Sequence, residues 1–269
     1  MTIDDLRFPN ERSFKSSIIN RKSSIVNRKS SRAFYLFGAQ HLITLAVIGS
    51  LCALVAWLAR NGTPRSCMWL RRSLGIALLG YVACVYTQQG IAYGLGWSYS
   101  LPLELCNLVL IACIISLFKP NQFISEIAYF WGLGGVLQAT LTPDLGRGFP
   151  SWDFLLFFWG HGATLMAIIF LVFSREFRLR KGNILRMMIA LNIYALVVGS
   201  VDALMGWNYG YLCHKPTMPS LLDLLGPWPW YLLSLEGIAL LTFLILNWLY
   251  RLLVACNKEI ASGSTGYCS

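Results

Sequence analysis

Residues 152–173 read WDFLLFFWGHGATLMAIIFLVF. The run holds one carboxylate at its start, Asp153, and one imidazole, His161; almost everything else is apolar. At ~1.5 Å per residue such a helix is long enough to cross the ~30 Å hydrocarbon core of a bilayer. A backbone in lipid must satisfy its own polar groups, so the run is a helix.

Six further stretches have the same character. They are Ala33–Ala59, Ser73–Trp97, Leu101–Phe118, Phe123–Leu141, Ile184–Met205 and Trp230–Tyr250. Lys119-Pro120-Asn121-Gln122 is all that separates the third from the fourth, which makes a tight helical hairpin. The fold class is all-α, a polytopic membrane protein with a bundle of about seven transmembrane helices over residues 33–250. Composition agrees: 56% of the 269 residues are hydrophobic, 13% are charged and the mean hydropathy is +0.57. A soluble domain carries about 25% charge, so a water-soluble enzyme, a nucleic-acid binder and a disordered chain are excluded.

Outside the bundle lie a basic tail, residues 1–32, and a short C-terminal tail, 251–269. The basic tail has eight Lys/Arg and a tandem repeat, Ser-Ser-Ile-Ile-Asn-Arg-Lys at 16–22 and Ser-Ser-Ile-Val-Asn-Arg-Lys at 23–29. Its composition is that of a disordered segment, with an amphipathic surface helix as the alternative. The loop 206–229 carries Pro216, Pro219, Pro227 and Pro229, and Leu221–Leu225 within it is suited to a short interfacial or re-entrant helix.

Seven crossings place loops 60–72, 119–122 and 174–183 on the side of the C-terminus. That side holds Arg60, Arg65, Arg71, Arg72, Lys119, Arg175, Arg178, Arg180, Lys181, Arg251 and Lys258; the opposite loops hold Arg147 and Lys215. The positive-inside rule makes the C-terminus cytoplasmic and the location the cell membrane. The basic tail then lies outside, against the rule; a stretch that fails to span is the competing arrangement.

Ionisable and polar groups inside the bundle need a reason, because each is costly in lipid. His41, Gln88, Glu104, Asn107, Gln138, Asp153, His161, Asp202 and Glu236 all fall in the half of the helices nearest loops 97–100, 142–151 and 206–229. Only Glu126 belongs clearly to the other end. A polar cavity opening toward those loops accounts for the pattern; wetter helix ends account for Asp153 and Asp202 alone. His161, flanked by Gly160 and Gly162, can meet a neighbouring helix, either as a base or simply as a hydrogen-bonded core histidine. Cys106 stands one to two turns into the third stretch, where a cysteine is by default a small hydrophobe. Counted from the helix ends, Cys106 lies ~8 Å deep and His161 ~13 Å. No HxxxH or HExxH spacing is present, so no metal is expected, and no motif calls for a cofactor.

Several stretches carry a family resemblance: Leu101-Pro-Leu-Glu-Leu-Cys-Asn, Ala128–Ala139, Leu141-Thr-Pro-Asp-Leu, Trp159-Gly-His-Gly, Asn192-Ile-Tyr-Ala, Asn208–Pro216 and Ser220–Tyr231. Together they resemble the YwaF-like bacterial integral membrane proteins, over about residues 34–250. That family is similar to a vertebrate transmembrane ether-phospholipid acyltransferase with a cysteine active centre. The resemblance implies a nucleophilic Cys106 and a base, His161, working on membrane lipids, with a phospholipid donor and a lysophospholipid acceptor. Asn107, Gln138 or Gln88 would then face the oxyanion, and Asp153 the imidazole. The chain departs from the pattern at Glu104, where many relatives carry His. A non-enzymatic carrier or channel using the same polar cavity is the alternative.

Overall fold

The structure is a computed structural model that describes residues 33–93, 100–174, 177–215 and 221–263. The basic tail read over 1–32 lies outside the described residues, as does the end of the second apolar stretch. Among the described residues the fold is helical apart from one isolated bridge, Ala33 to Arg147.

Helix α1 spans Ala39–Asn61 and α2 Pro64–Tyr93. The sequence predicts a loop over 60–72, yet only Gly62 and Thr63 separate these helices. Pro64 suits a first helical turn, where its missing N–H costs nothing. Arg65, Arg71 and Arg72 are therefore helical, with stems that can run along apolar surface while the charge reaches water. Helix α3 spans Leu105–Phe118. The Asn121 side chain accepts from the Phe123 and Ile124 amides at 3.0 and 3.2 Å and starts α4, Gln122–Trp131. A π turn over Gly132–Val136 joins α4 to α5, Leu137–Leu141. Helices α6 (Trp152–Phe173), α7 (Asn183–Met205) and α8 (Trp230–Gly263) follow. Gly182 and Gly206 bracket α7 at φ +68°, a left-handed conformation that favours glycine. Between α7 and α8 lie short 3-10 turns at Tyr209–Tyr211 and Leu221–Leu225, the latter where a short interfacial helix is expected.

Among the described residues five helices are long and apolar enough to cross a membrane: α1, α2, α6, α7 and α8. The 14 residues of α3 reach only ~21 Å, and the fourth apolar stretch is the broken α4–α5. The expectation of about seven helices holds, but two of them are not full-length spans. The physical reason is burial. Val109, Ala112 and Cys113 of α3, and Ala128 and Phe130 of α4, are enclosed by protein. A segment shielded this way need not match the bilayer thickness.

Helix α6 is the axis: 61% of its apolar window is buried, against 11–17% for the other four spans. It packs on α1, α2, α3 and the π turn. Gly132 permits this convergence, because a Cβ there would stand 2.3 Å from Ile168 Cδ1 and 3.1 Å from Val109 Cγ1. The outer faces of α7 and α8 are apolar and exposed at Ile193, Leu196, Leu241 and Leu244, as lipid contact requires.

Candidate functional site

The end of the bundle that carries loops 142–151 and 206–229 is called here the loop end. The polar residues placed there by sequence do not share one cavity. The first turn of α3 divides the region in two.

On one face of α3, beside Leu105, is a cleft of about 720 Å³ between α3, the π turn, α7 and α8. Its walls are mostly apolar, with Gly134 and Gly135 on one side and Leu191, Ala195 and Ala239 on another. Its polar members include Asn192, Tyr194, Ser200, Cys213, Glu236 and Thr242. Asn192 Nδ2 donates to the Glu236 carboxylate inside it, joining α7 to α8. On the opposite face, beside Asn107, is a chamber of about 120 Å³ enclosed with α2 by Tyr81, Tyr86, Gln89 and Ser100. Among the described residues the Gln89 carbonyl oxygen and the Ser100 hydroxyl have no hydrogen-bond partner there.

Cys106 lies between these two spaces, partly buried against the core. Glu104, two residues before it, caps α3 in an extended conformation and accepts from the Gly210 amide at 3.0 Å. Tyr194 donates to the Leu103 carbonyl at 2.9 Å. These two bonds tie the start of α3 under the Tyr209–Tyr211 turn and seat it below the level of the neighbouring helix ends. Asp202 is fully buried beside the Tyr209 amide and the His214 ring.

His161 is half-buried on α6. Its Nδ1 donates to the Phe157 carbonyl at 2.9 Å, and its ring stacks on Phe157 at 4.0 Å and 17°. A carbonyl only accepts, so Nδ1 carries the hydrogen and Nε2 of the neutral ring keeps its lone pair. Among the described residues no hydrogen bond joins this ring to Cys106. Val109 and Ile168 both meet Gly132 and are therefore level. Counting back at ~1.5 Å per residue along the parallel α3 and α6 puts His161 roughly 6 Å nearer the loop end than Cys106. Counting from the helix ends predicts the reverse order, because it assumes that α3 begins level with α6. Tyr81 of α2 lies across the gap, close against Gly160 and within electrostatic reach of Cys106.

The remaining sequence candidates are placed apart. His41 is fully buried: its Nδ1 accepts from the Phe37 amide and its Nε2 donates to the Thr140 carbonyl, both at 3.1 Å. Rings of Phe34, Phe37 and Phe158 surround it, so it pins the start of α1 to the end of α5. Asp153 pairs with Arg147 at the surface. Gln138 is exposed and donates to Thr142 at 3.2 Å. Gln88 lines a shallow outer hollow with Thr87 and Trp152. Among the described residues no group of three His, Cys, Asp or Glu side chains could hold a metal ion.

A family model described as the TMEM164 family matches residues 36–247. The chain belongs to the TMEM164 family. The family match begins at the threshold of α1 and ends within α8, so it includes Cys106, His161 and the whole α7–α8 cleft. No curated protein and no solved structure matches the chain.

Two features of this TMEM164-family protein are missed by sequence reasoning. Tyr194 and Asn192 line the cleft; sequence marks them only as part of the stretch Asn192-Ile-Tyr-Ala and gives them no site role. Glu126 is legible as the odd carboxylate at the other end, but not its partners. It accepts from the Arg180 amide at 2.9 Å, from Arg180 Nη2 at 2.7 Å and from Arg186 Nη2 at 3.3 Å. That bond set also raises the pKa of the Arg180 guanidinium in its loop.

Proposed function

We propose that this multi-pass membrane protein handles lipids in the α7–α8 cleft and transfers an acyl group through Cys106. The observation that carries the reading is the cleft itself: a mostly apolar space of about 720 Å³ bounded by Leu105, the residue next to Cys106. An acyl chain entering between α7 and α8 would bring its ester toward the first turn of α3. The resemblance to YwaF-like proteins and to a cysteine-centred acyltransferase adds to this, at Cys106 and His161.

In the proposed reaction His161 Nε2 takes the thiol proton and Sγ attacks the ester carbonyl of a phospholipid. The carbonyl–oxygen bond breaks, the lysophospholipid leaves as an alcohol with the proton from His161, and a thioester remains. The hydroxyl of a second lysophospholipid then attacks the thioester, gives its proton to His161, and the thiol is restored. The Phe157 carbonyl holds the required tautomer. The offset of roughly 6 Å in depth is closed by a ring rotation or one bridging water. The membrane is the cell membrane, with the Glu126 end and the C-terminus on the cytoplasmic side.

The test is purified protein given a lysophospholipid and a diacyl phospholipid labelled in one chain. Label should move to the acceptor with the wild type and not with Cys106→Ala or His161→Ala. A carrier is the second reading, favoured by the placement of Glu236 inside the cleft with Glu104 and Asp202 beside it. A carrier would tolerate Cys106→Ser and lose function with Glu236→Gln.

A further inference from the structure

We propose that the Tyr81 hydroxyl carries the thiol proton of Cys106 to His161, in the place of a bridging water. The proposal rests on the acyl-transfer reading of Cys106 and His161, and adds the group that joins them. Helix geometry brings the three residues to one seam. An α-helix turns ~100° per residue. On α6, Ile168 meets Gly132 beside Val109 and so marks the face toward α3. His161, seven residues earlier, lies ~20° from Ile168 and shares that face. Gly160 is turned toward α2: a Cβ there would stand 2.4 Å from Tyr81 Cζ and 2.8 Å from the Tyr81 hydroxyl. On α3, Val109 faces Gly132, whereas Asn107 and Leu110 line the small chamber together with Tyr81. Cys106 is ~60° from Val109 and ~40° from Leu110, so it points into the seam between α6 and α2.

Depth is the second argument. The His161 ring stacks on Phe157, one turn nearer the loop end, and is drawn in that direction. The Tyr81 hydroxyl stands at Gly160 and therefore lies on the Cys106 side of the ring. Side chains lean toward the start of their own helix, so the Cys106 thiol tilts toward the loop end to meet it. A charge on Cys106 is felt at Tyr81 across this gap. The third argument is the state of the hydroxyl. Trp159 braces the Tyr81 ring at 6.1 Å and 66°. Among the described residues the Tyr81 hydroxyl makes no hydrogen bond. A phenol both accepts and donates, so it can accept from the thiol while donating to His161 Nε2, the nitrogen that the Phe157 carbonyl leaves as acceptor. In the step the S–H bond breaks, its proton passes to the Tyr81 oxygen, and the proton already on Tyr81 passes to Nε2. The electron pair left on Sγ forms the bond to the ester carbonyl, and Tyr81 ends unchanged.

The experiment compares the full-length wild type with Tyr81→Phe, His161→Ala and the double variant. Two rates are read by mass on the Cys106 peptide: acylation by a diacyl phospholipid, and alkylation by N-ethylmaleimide at neutral pH. Tyr81→Phe keeps the ring against Gly160 and removes only the hydroxyl, so it should melt with the wild type. It should slow acylation by on the order of a hundredfold, and slow alkylation in the same direction. The double variant should be no slower than His161→Ala, because the two groups act in series. Wild-type rates of both reactions in Tyr81→Phe would overturn the relay and leave the acyl-transfer reading standing. Losses that multiply in the double variant would overturn it in the same way. Alkylation that falls equally in both single variants, with no acyl mass on wild-type Cys106, would uphold the relay and overturn acyl transfer instead.

Discussion

Replacing Glu126 by alanine tests how the short α4 is held at the basic end. The carboxylate is fully buried and receives four kinds of donor: the Arg180 amide, Arg180 Nε, Arg180 Nη2 and Arg186 Nη2. Breaking a buried ion pair usually costs about 3–5 kcal/mol. The arginine side chains here are 43% and 34% exposed, so they can turn to water, and the full penalty is not reached. The Arg180 amide keeps no such escape and accounts for ~1–3 kcal/mol. Glu126→Ala should therefore cost about 2–3 kcal/mol, and Glu126→Gln, which keeps one oxygen for that amide, about half as much. For a chain of this size that is roughly 5–10 °C in melting temperature for alanine. The assay is thermal unfolding of purified protein in one detergent, with Arg180→Ala and the double variant completing a cycle. The losses of the two single variants should not add. An alanine variant that melts with the wild type, or fully additive losses, would refute the clamp.

Other consequences are equally open to test. His41→Ala removes acceptor and donor contacts to Phe37 and Thr140 and leaves a hole among three aromatic rings, which should destabilise by about 3 kcal/mol; an unchanged melting temperature would remove the pinning role. Ala239→Trp puts an indole into the cleft and should cut acyl transfer by on the order of tenfold, ~1.4 kcal/mol at the transition state, in a protein that still folds; full activity would place the acyl chain elsewhere. Cys213, with the other cysteines replaced, should react with a membrane-impermeant thiol reagent in intact cells. Burial pushes its thiol pKa up, so the reaction belongs at alkaline pH; labelling only after the membrane is broken would invert the orientation.

Hydropathy makes the helical class and the number of helices legible, because a lipid-facing helix has to be apolar along its whole length. The starts of helices are less legible. Arg65, Arg71 and Arg72 resemble a loop by charge, whereas Pro64 begins α2 before them. Gly132, Gly134 and Gly135 signal close packing, and the Ile168 contact agrees, but the π turn they form has no sequence mark. The polar half of the bundle is visible from helix order alone. Its division into two spaces is not, because that depends on how deep α3 begins. The contacts of Glu104 with Gly210 and of Leu103 with Tyr194 set that depth, and both cross about a hundred residues of sequence. For the same reason, counting from the helix ends and counting back from the Gly132 contacts order His161 and Cys106 differently in depth.

The proposed chemistry stands or falls on a covalent acyl group at Cys106. Purified protein should be incubated with a diacyl phospholipid and no acceptor, quenched in acid, and its Cys106 peptide weighed. The account predicts an added acyl mass on Cys106 that neutral hydroxylamine removes, that is lost when lysophospholipid is supplied, and that forms far more slowly in His161→Ala. Transfer of label from donor to acceptor by the Cys106→Ala protein at the wild-type rate would contradict it.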